Sequence, residues 1–125
     1  MDENEISYTV RKCIFNVYNT LGPGLLESVY QKISVYELEE NGLDVKSELL
    51  LPVKYDDKLF DVNFRIDILV ENKVILELKS TKTIEDIHYK QLYTYLKLSN
   101  KKLGLLVNFN TTNILDGIKR VVNNL

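Results

Sequence analysis

At 125 residues the chain has room for one compact domain, residues 1–125, and is long enough to bury a hydrophobic core without disulfide staples. With 45% hydrophobic and 27% charged residues it reads as an ordinary soluble globular protein, and its net charge of −2 excludes a whole-protein field that would attract nucleic acid. No apolar run approaches the ~20 residues that span a bilayer, and the acidic start, Met1 to Glu5, lacks the features of a secretory signal.

In chain order, Ile6, Val10, Cys13, Ile14, Val17 and Leu21 recur at helical spacing, which predicts a helix over residues 5–20. The lone Cys13 has no disulfide partner and apolar neighbours, so a reduced, cytoplasmic setting and a small core residue are expected. A thiol nucleophile is disfavoured because the single histidine, His88, lies far along the chain. Gly22-Pro23-Gly24 breaks the chain, and a second helix is expected over residues 25–41, burying Leu26, Val29, Tyr30, Ile33, Tyr36 and Leu38 in varying degree. Asn41-Gly42 closes it.

The period then changes to two. Leu43, Val45, Leu49, Leu51, Val53 and Tyr55 alternate as in a strand, and Pro52 marks an edge or a bulge. Asp56-Asp57-Lys58 is a turn, and strands over 59–70 and 74–79 join across Glu71-Asn72-Lys73. Residues 84–98 return to helical spacing, 103–109 form an apolar strand, and 117–122 fit either an edge strand or a short helix. The order is that of an α/β or α+β domain around a mixed sheet flanked by helices.

The second hairpin concentrates the chemistry. A three-residue turn carries Asp67 opposite Glu77, so Arg65, Asp67, Glu77 and Lys79 share one face, while Phe64, Ile66, Ile68, Val70, Val74, Leu76 and Leu78 take the other. Opposed carboxylates repel unless a cation lies between them, and oxygen ligands suit Mg²⁺ or Mn²⁺ better than zinc. Lys79 beside them could act on an attacking water or on charge developing at phosphorus. Spacing alone leaves open an ordinary solvated face with ion pairs Asp67–Lys79 and Arg65–Glu77.

Asp67, followed by Glu77-Leu78-Lys79, resembles the D…ExK signature of the PD-(D/E)XK nuclease superfamily, and Gly24-Leu25-Leu26-Glu27-Ser28-Val29-Tyr30 resembles the motif of its GxxExxY branch. Leu21 to Gly24, Phe64 to Asp67, Tyr95 to Leu98 and Gly104 to Phe109 are similar too, and Gln91 to Tyr95 resembles the QxxxY motif of RecB-like members. Ile66, not proline, precedes Asp67, a departure common in the superfamily. The resemblance implies a restriction-endonuclease-like αβββαβ core and a Mg²⁺- or Mn²⁺-dependent nuclease acting on nucleic acid, DNA favoured. Its metal ligands would be Asp67, Glu77, the Leu78 carbonyl and Glu27, with Lys79, Gln91 and Tyr95 completing the catalytic set. Arg65, Lys82, Lys101 and Lys102 are the candidate contacts to nucleic acid. His88, Gln91 and Tyr95 form one polar helical stripe that fits the cleft or solvent. A non-hydrolytic nucleic-acid-binding or accessory protein is the alternative, no membrane partner is expected, and a homodimer is compatible with the sequence.

Overall fold

Asp2 starts the first helix, α1 (Glu3–Leu21), by a reciprocal cap: its carboxylate accepts from the Glu5 N–H at 2.8 Å and its own N–H donates to Glu5 Oε1 at 3.1 Å. In this computed structural model, which describes residues 1–125, α1 buries the expected stripe of Ile6, Val10, Cys13, Ile14 and Val17. Burial, with the nearby Glu37 charge, pushes the Cys13 thiol up to about 11, so the residue is inert packing. The second helix, α2 (Glu27–Glu40), begins two residues later than the pattern suggests. The Leu25 carbonyl accepts instead from the Ser80 hydroxyl, and Leu26 caps the helix. Only Tyr30, Ser34 and Leu38 are buried on α2, whereas Leu26, Val29, Ile33 and Tyr36 stay exposed. The helix rests on the stripe centred at the small Ser34, which turns the larger side chains outward.

The strands β1 (Val45–Tyr55), β2 (Lys58–Val70), β3 (Val74–Lys79), β4 (Leu103–Asn108) and β5 (Ile118–Val122) form one sheet in sequential order. All neighbours run antiparallel except β3 and β4. That parallel pair is joined by helix α3 (Asp86–Ser99), as a crossover requires. The tail combines both expected forms: a short turn of helix, α4 (Ile114–Gly117), runs directly into β5. Pro52 meets both readings, because β1 is an edge strand whose register shifts between Pro52 and Lys54.

The alternation on the hairpin departs from expectation at one place. Ile68, Val70, Val74, Leu76 and Leu78 pack toward α1 and α2, as the pattern requires. Ile66, with Phe64 against it, packs instead with Leu69, Ile75, Leu92, Leu96 and Leu106 beneath α3. The switch falls where Glu48, at φ 50, takes a left-handed conformation inside β1 between the pairs Ser47↔Ile68 and Leu49↔Ile66. A left-handed residue rotates the ribbon, so side chains beyond it exchange faces. From Ile66 to Leu78 both faces of the β2–β3 hairpin are therefore covered, and Asp67 and Glu77 sit among buried apolar groups. α3 seats tightly because Gly104 lacks a side chain; a Cβ there would meet Leu92 Cδ1 at 2.8 Å.

Candidate active site

Val70↔Val74, Leu69↔Ile75 and Ile68↔Leu76 pair as a three-residue turn dictates, which carries Asp67 to Glu77. Beyond Leu76 the ladder gives way to bonds made by the carboxylates themselves. The Asp67 N–H donates to Glu77 Oε1 at 3.3 Å, and the Leu78 N–H donates to Asp67 Oδ2 at 2.9 Å. The two strands are thus wedged apart by the side chains that line the gap. A strand residue's N–H and C=O lie along the same edge, so the Leu78 carbonyl faces the gap that its N–H bridges.

Glu77 is 5% exposed, while Asp67 and Lys79 are half-buried. Burial first, and then the Asp67 charge, push the Glu77 carboxyl up to about 8, with Lys79 acting in the opposite direction. Without a metal, the Glu77 carboxyl is therefore held toward its protonated form. Tyr95, on α3, stacks at a tilt on Phe64 with ring centroids 5.0 Å apart. Burial, and after it the charges of Glu77 and Asp67, raise the Tyr95 pKa, which puts its ring beside the pair. The ion pairs Asp67–Lys79 and Arg65–Glu77 of an ordinary charged face do not form. Arg65 reaches Glu48 at 3.7 Å, and the other ion pair of the chain is Lys54–Asp57.

Glu27 arrives from the other side of the sheet. Its Oε1 accepts from the Ser80 N–H at 3.2 Å, one residue beyond Lys79, and its carboxylate is exposed at this rim. Tyr30 fixes the approach: its hydroxyl donates to the Gly22 carbonyl and accepts from the Leu25 N–H, and its ring stacks on Phe109 at 4.1 Å. Gly24 (φ 102) turns the chain between them. Gly24, Glu27 and Tyr30 thus clamp the start of α2 to the end of β3. Asp67 and Glu77 form a pair, and no third His, Cys, Asp or Glu joins them in a cluster. The pair nevertheless fits a hard divalent cation, since both ligands are carboxylates, one is buried, and a cation between them would relieve their repulsion.

Gln91, a turn before Tyr95, is exposed, and its side chain hydrogen-bonds to no protein group. His88 leaves the polar stripe to cap α3, its Nδ1 accepting from the Glu85 N–H at 3.0 Å. Lys82 lies on the loop that follows β3, close to the pair along the chain. Lys101 and Lys102 precede β4, whose parallel register with β3 places them at the far end of the sheet from Lys79. Lys101 Nζ donates there to Asn72 at 3.3 Å. The structure does not bring these two lysines to the carboxylates.

Asn108 is a site residue that the sequence reading passed over as part of an apolar strand. It is 6% exposed; its Oδ1 accepts from the N–H groups of Thr81 and Asn110, and its Nδ2 donates to the Thr81 carbonyl. With the Phe109 N–H donating to the Lys79 carbonyl at 2.9 Å, it pins the segment that carries Lys79. A lone amide closing an otherwise apolar run was its signal.

No helix is long and apolar enough to cross a membrane. The sequence profile described as the PD-(D/E)XK nuclease superfamily matches residues 4–121. Among solved structures, one titled "Crystal structure of SSO0001" is similar, with a TM-score of 0.59 and 21% identity over 79% of this chain and 51% of that chain. The chain therefore spans about half the length of that protein, and a likeness at this identity concerns the fold alone. No curated protein matches it. A mixed five-stranded sheet between helices, with an Asp and a Glu-x-Lys on adjacent strands, agrees with the profile: the chain belongs to the PD-(D/E)XK nuclease superfamily.

Proposed function

We propose that the chain is a metal-dependent nuclease that hydrolyses phosphodiester bonds of nucleic acid, with DNA the favoured form, and that it lies in the GxxExxY branch of its superfamily. One observation carries the reading: two opposed carboxylates beside Lys79, one of them buried, accept from N–H groups of the facing strand, and neither is within ion-pair distance of a cationic side chain. Asp67, Glu77 and the Leu78 carbonyl would hold Mg²⁺ or Mn²⁺, with Glu27 reaching the ion or its water from the rim. Bound there, the ion supplies acidification of a water and neutralisation of phosphate charge. Lys79 orients or deprotonates the attacking water, and the apolar wall of Phe64 and Tyr95 excludes bulk solvent. Gln91, free on the α3 surface, is available to a phosphate. Arg65 and Lys82 are the nearer cations for the backbone of the substrate, while Lys101 and Lys102 could contact only a substrate that extends along the sheet.

The alternative, a non-hydrolytic binding or accessory protein, draws on the pairing of just two carboxylates, with no third converging on them. A cleavage assay on single- and double-stranded DNA and RNA, with Mg²⁺, Mn²⁺ or EDTA, separates the two. The nuclease reading expects metal-dependent cutting that Lys79→Ala abolishes while metal binding persists. Tight binding with no cutting on any substrate would leave the accessory reading standing.

A further inference from the structure

Leu92 and Leu96 face the sheet, so α3 presents two flanks. One carries Tyr95 toward the carboxylates. The other carries Tyr89 and Tyr93, four residues apart, toward the edge strand β5. Between that flank and β5 runs a groove of about 550 Å³, lined by Tyr89, Lys90, Tyr93, Thr94 and the strand from Arg120 to Val122. Tyr89 also lines a second hollow of about 310 Å³, which takes in Lys82, Asn108, Asn110 and Lys119 at the end of β3 and β4. Tyr89 borders both hollows, and together they trace a line, here called the furrow, from the loop after Lys79 along the outer edge of the sheet.

Its charge is unlike that of the chain. Lys82, Lys90 and Lys119 line it, and Lys97 Nζ lies 5.1 Å from the centroid of the Tyr93 ring. None of these four lysines is in an ion pair. Arg120 borders it too, but its guanidinium donates to Asn4 Oδ1 at 2.8 Å. Asp116 is the single acidic residue of the furrow, at its far end from Tyr93. A protein of net charge −2 has thus gathered unpaired cations beside an aromatic ring that is 41% exposed.

We propose that this furrow holds a single strand of nucleic acid and feeds it toward Lys79, an inference that rests on the nuclease reading for its direction but not for its binding. Lysines spaced along a groove suit a phosphate backbone, and an exposed tyrosine suits an unpaired base, which stacks with little regard to sequence. A duplex keeps its bases stacked internally and offers Tyr93 nothing.

The test is fluorescence anisotropy in EDTA with a labelled oligothymidylate of about 15 nucleotides, the matching RNA, and a duplex of the same length. The wild type should prefer the single strands. Tyr93→Ala should weaken that binding about tenfold, by loss of one stacked base, whereas Tyr93→Phe should bind like the wild type. The pair Lys90→Gln, Lys97→Gln should lower the slope of log affinity against log salt by roughly 1.4. Single-strand binding unchanged in these variants, or a wild-type preference for duplex, overturns the furrow even if cleavage is robust. Single-strand binding that depends on Tyr93, with no cleavage of any substrate, upholds the furrow and removes the nuclease reading instead.

Discussion

Glu77→Gln tests the electrostatic account of the site most directly. Glutamine keeps the size of the side chain and the oxygen that accepts from the Asp67 N–H, but it cannot ionise. The folded carboxyl holds its proton to about pH 8, whereas an unperturbed one releases it near 4.5. Between those values the folded state binds more protons than the unfolded state, so stability of the metal-free wild type falls as pH rises through this window. At about 1.4 kcal/mol per pH unit the ceiling is roughly 5 kcal/mol. Water reaching the half-buried Asp67 relaxes part of it, which leaves about 2–3 kcal/mol at pH 8.5. For a chain of this size that corresponds to a melting temperature about 6–12 °C higher in the variant. Thermal melts in EDTA at pH 5 and pH 8.5 should give near-coincident curves at the lower pH and the full gap at the higher. A variant less stable than the wild type at pH 8.5, or a gap that ignores pH, would refute the reasoning and make Glu77 an ion-paired residue after all.

Three further outcomes follow from the same geometry. Mn²⁺ binding should expel about one proton, so calorimetric affinity should fall roughly tenfold per pH unit as pH drops from 8 toward 6; a flat profile would mean that the ion does not displace the Glu77 proton. Glu27→Gln retains an acceptor for the Ser80 N–H, so stability should change by under about 0.5 kcal/mol while cleavage drops severely; full activity would reduce Glu27 to a clamp. Asn108→Ala strands Thr81 and Asn110 groups that it now satisfies, and should cost about 2–3 kcal/mol in urea denaturation, with slower cleavage but unchanged metal affinity.

Much of this architecture was legible because it is written in local periodicity. The α1 stripe, the three-residue turn at Glu71 and the change from period 3.6 to period 2 at Leu43 each follow from residues close in sequence. So did the meeting of Asp67 and Glu77, since a hairpin register is set by its turn. What escaped depends on contacts between distant segments. Period-two counting assumes an unbroken ribbon, and the left-handed Glu48 on a neighbouring strand moved Ile66 and Phe64 to the α3 side. The outward face of α2 was set by where Ser34 could approach the sheet and α1, which no pattern within α2 encodes. Asn108 and Ser80 act across separations of 27 and 53 residues, and their partners could be found only once the strands were placed.

The gap between β2 and β3 gives the chain a pair of built-in reporters. The amides of Asp67 and Leu78 are held by carboxylate oxygens, where their neighbours in the ladder are held by peptide carbonyls. Their hydrogen-exchange rates and amide chemical shifts should therefore follow the ionisation of the pair, while the amides of Ile75 and Leu76, a few ångströms away, register only the opening of the sheet. Isotope labelling of two backbone positions would let the state of the site be read in the intact protein, with no substrate present and no turnover required.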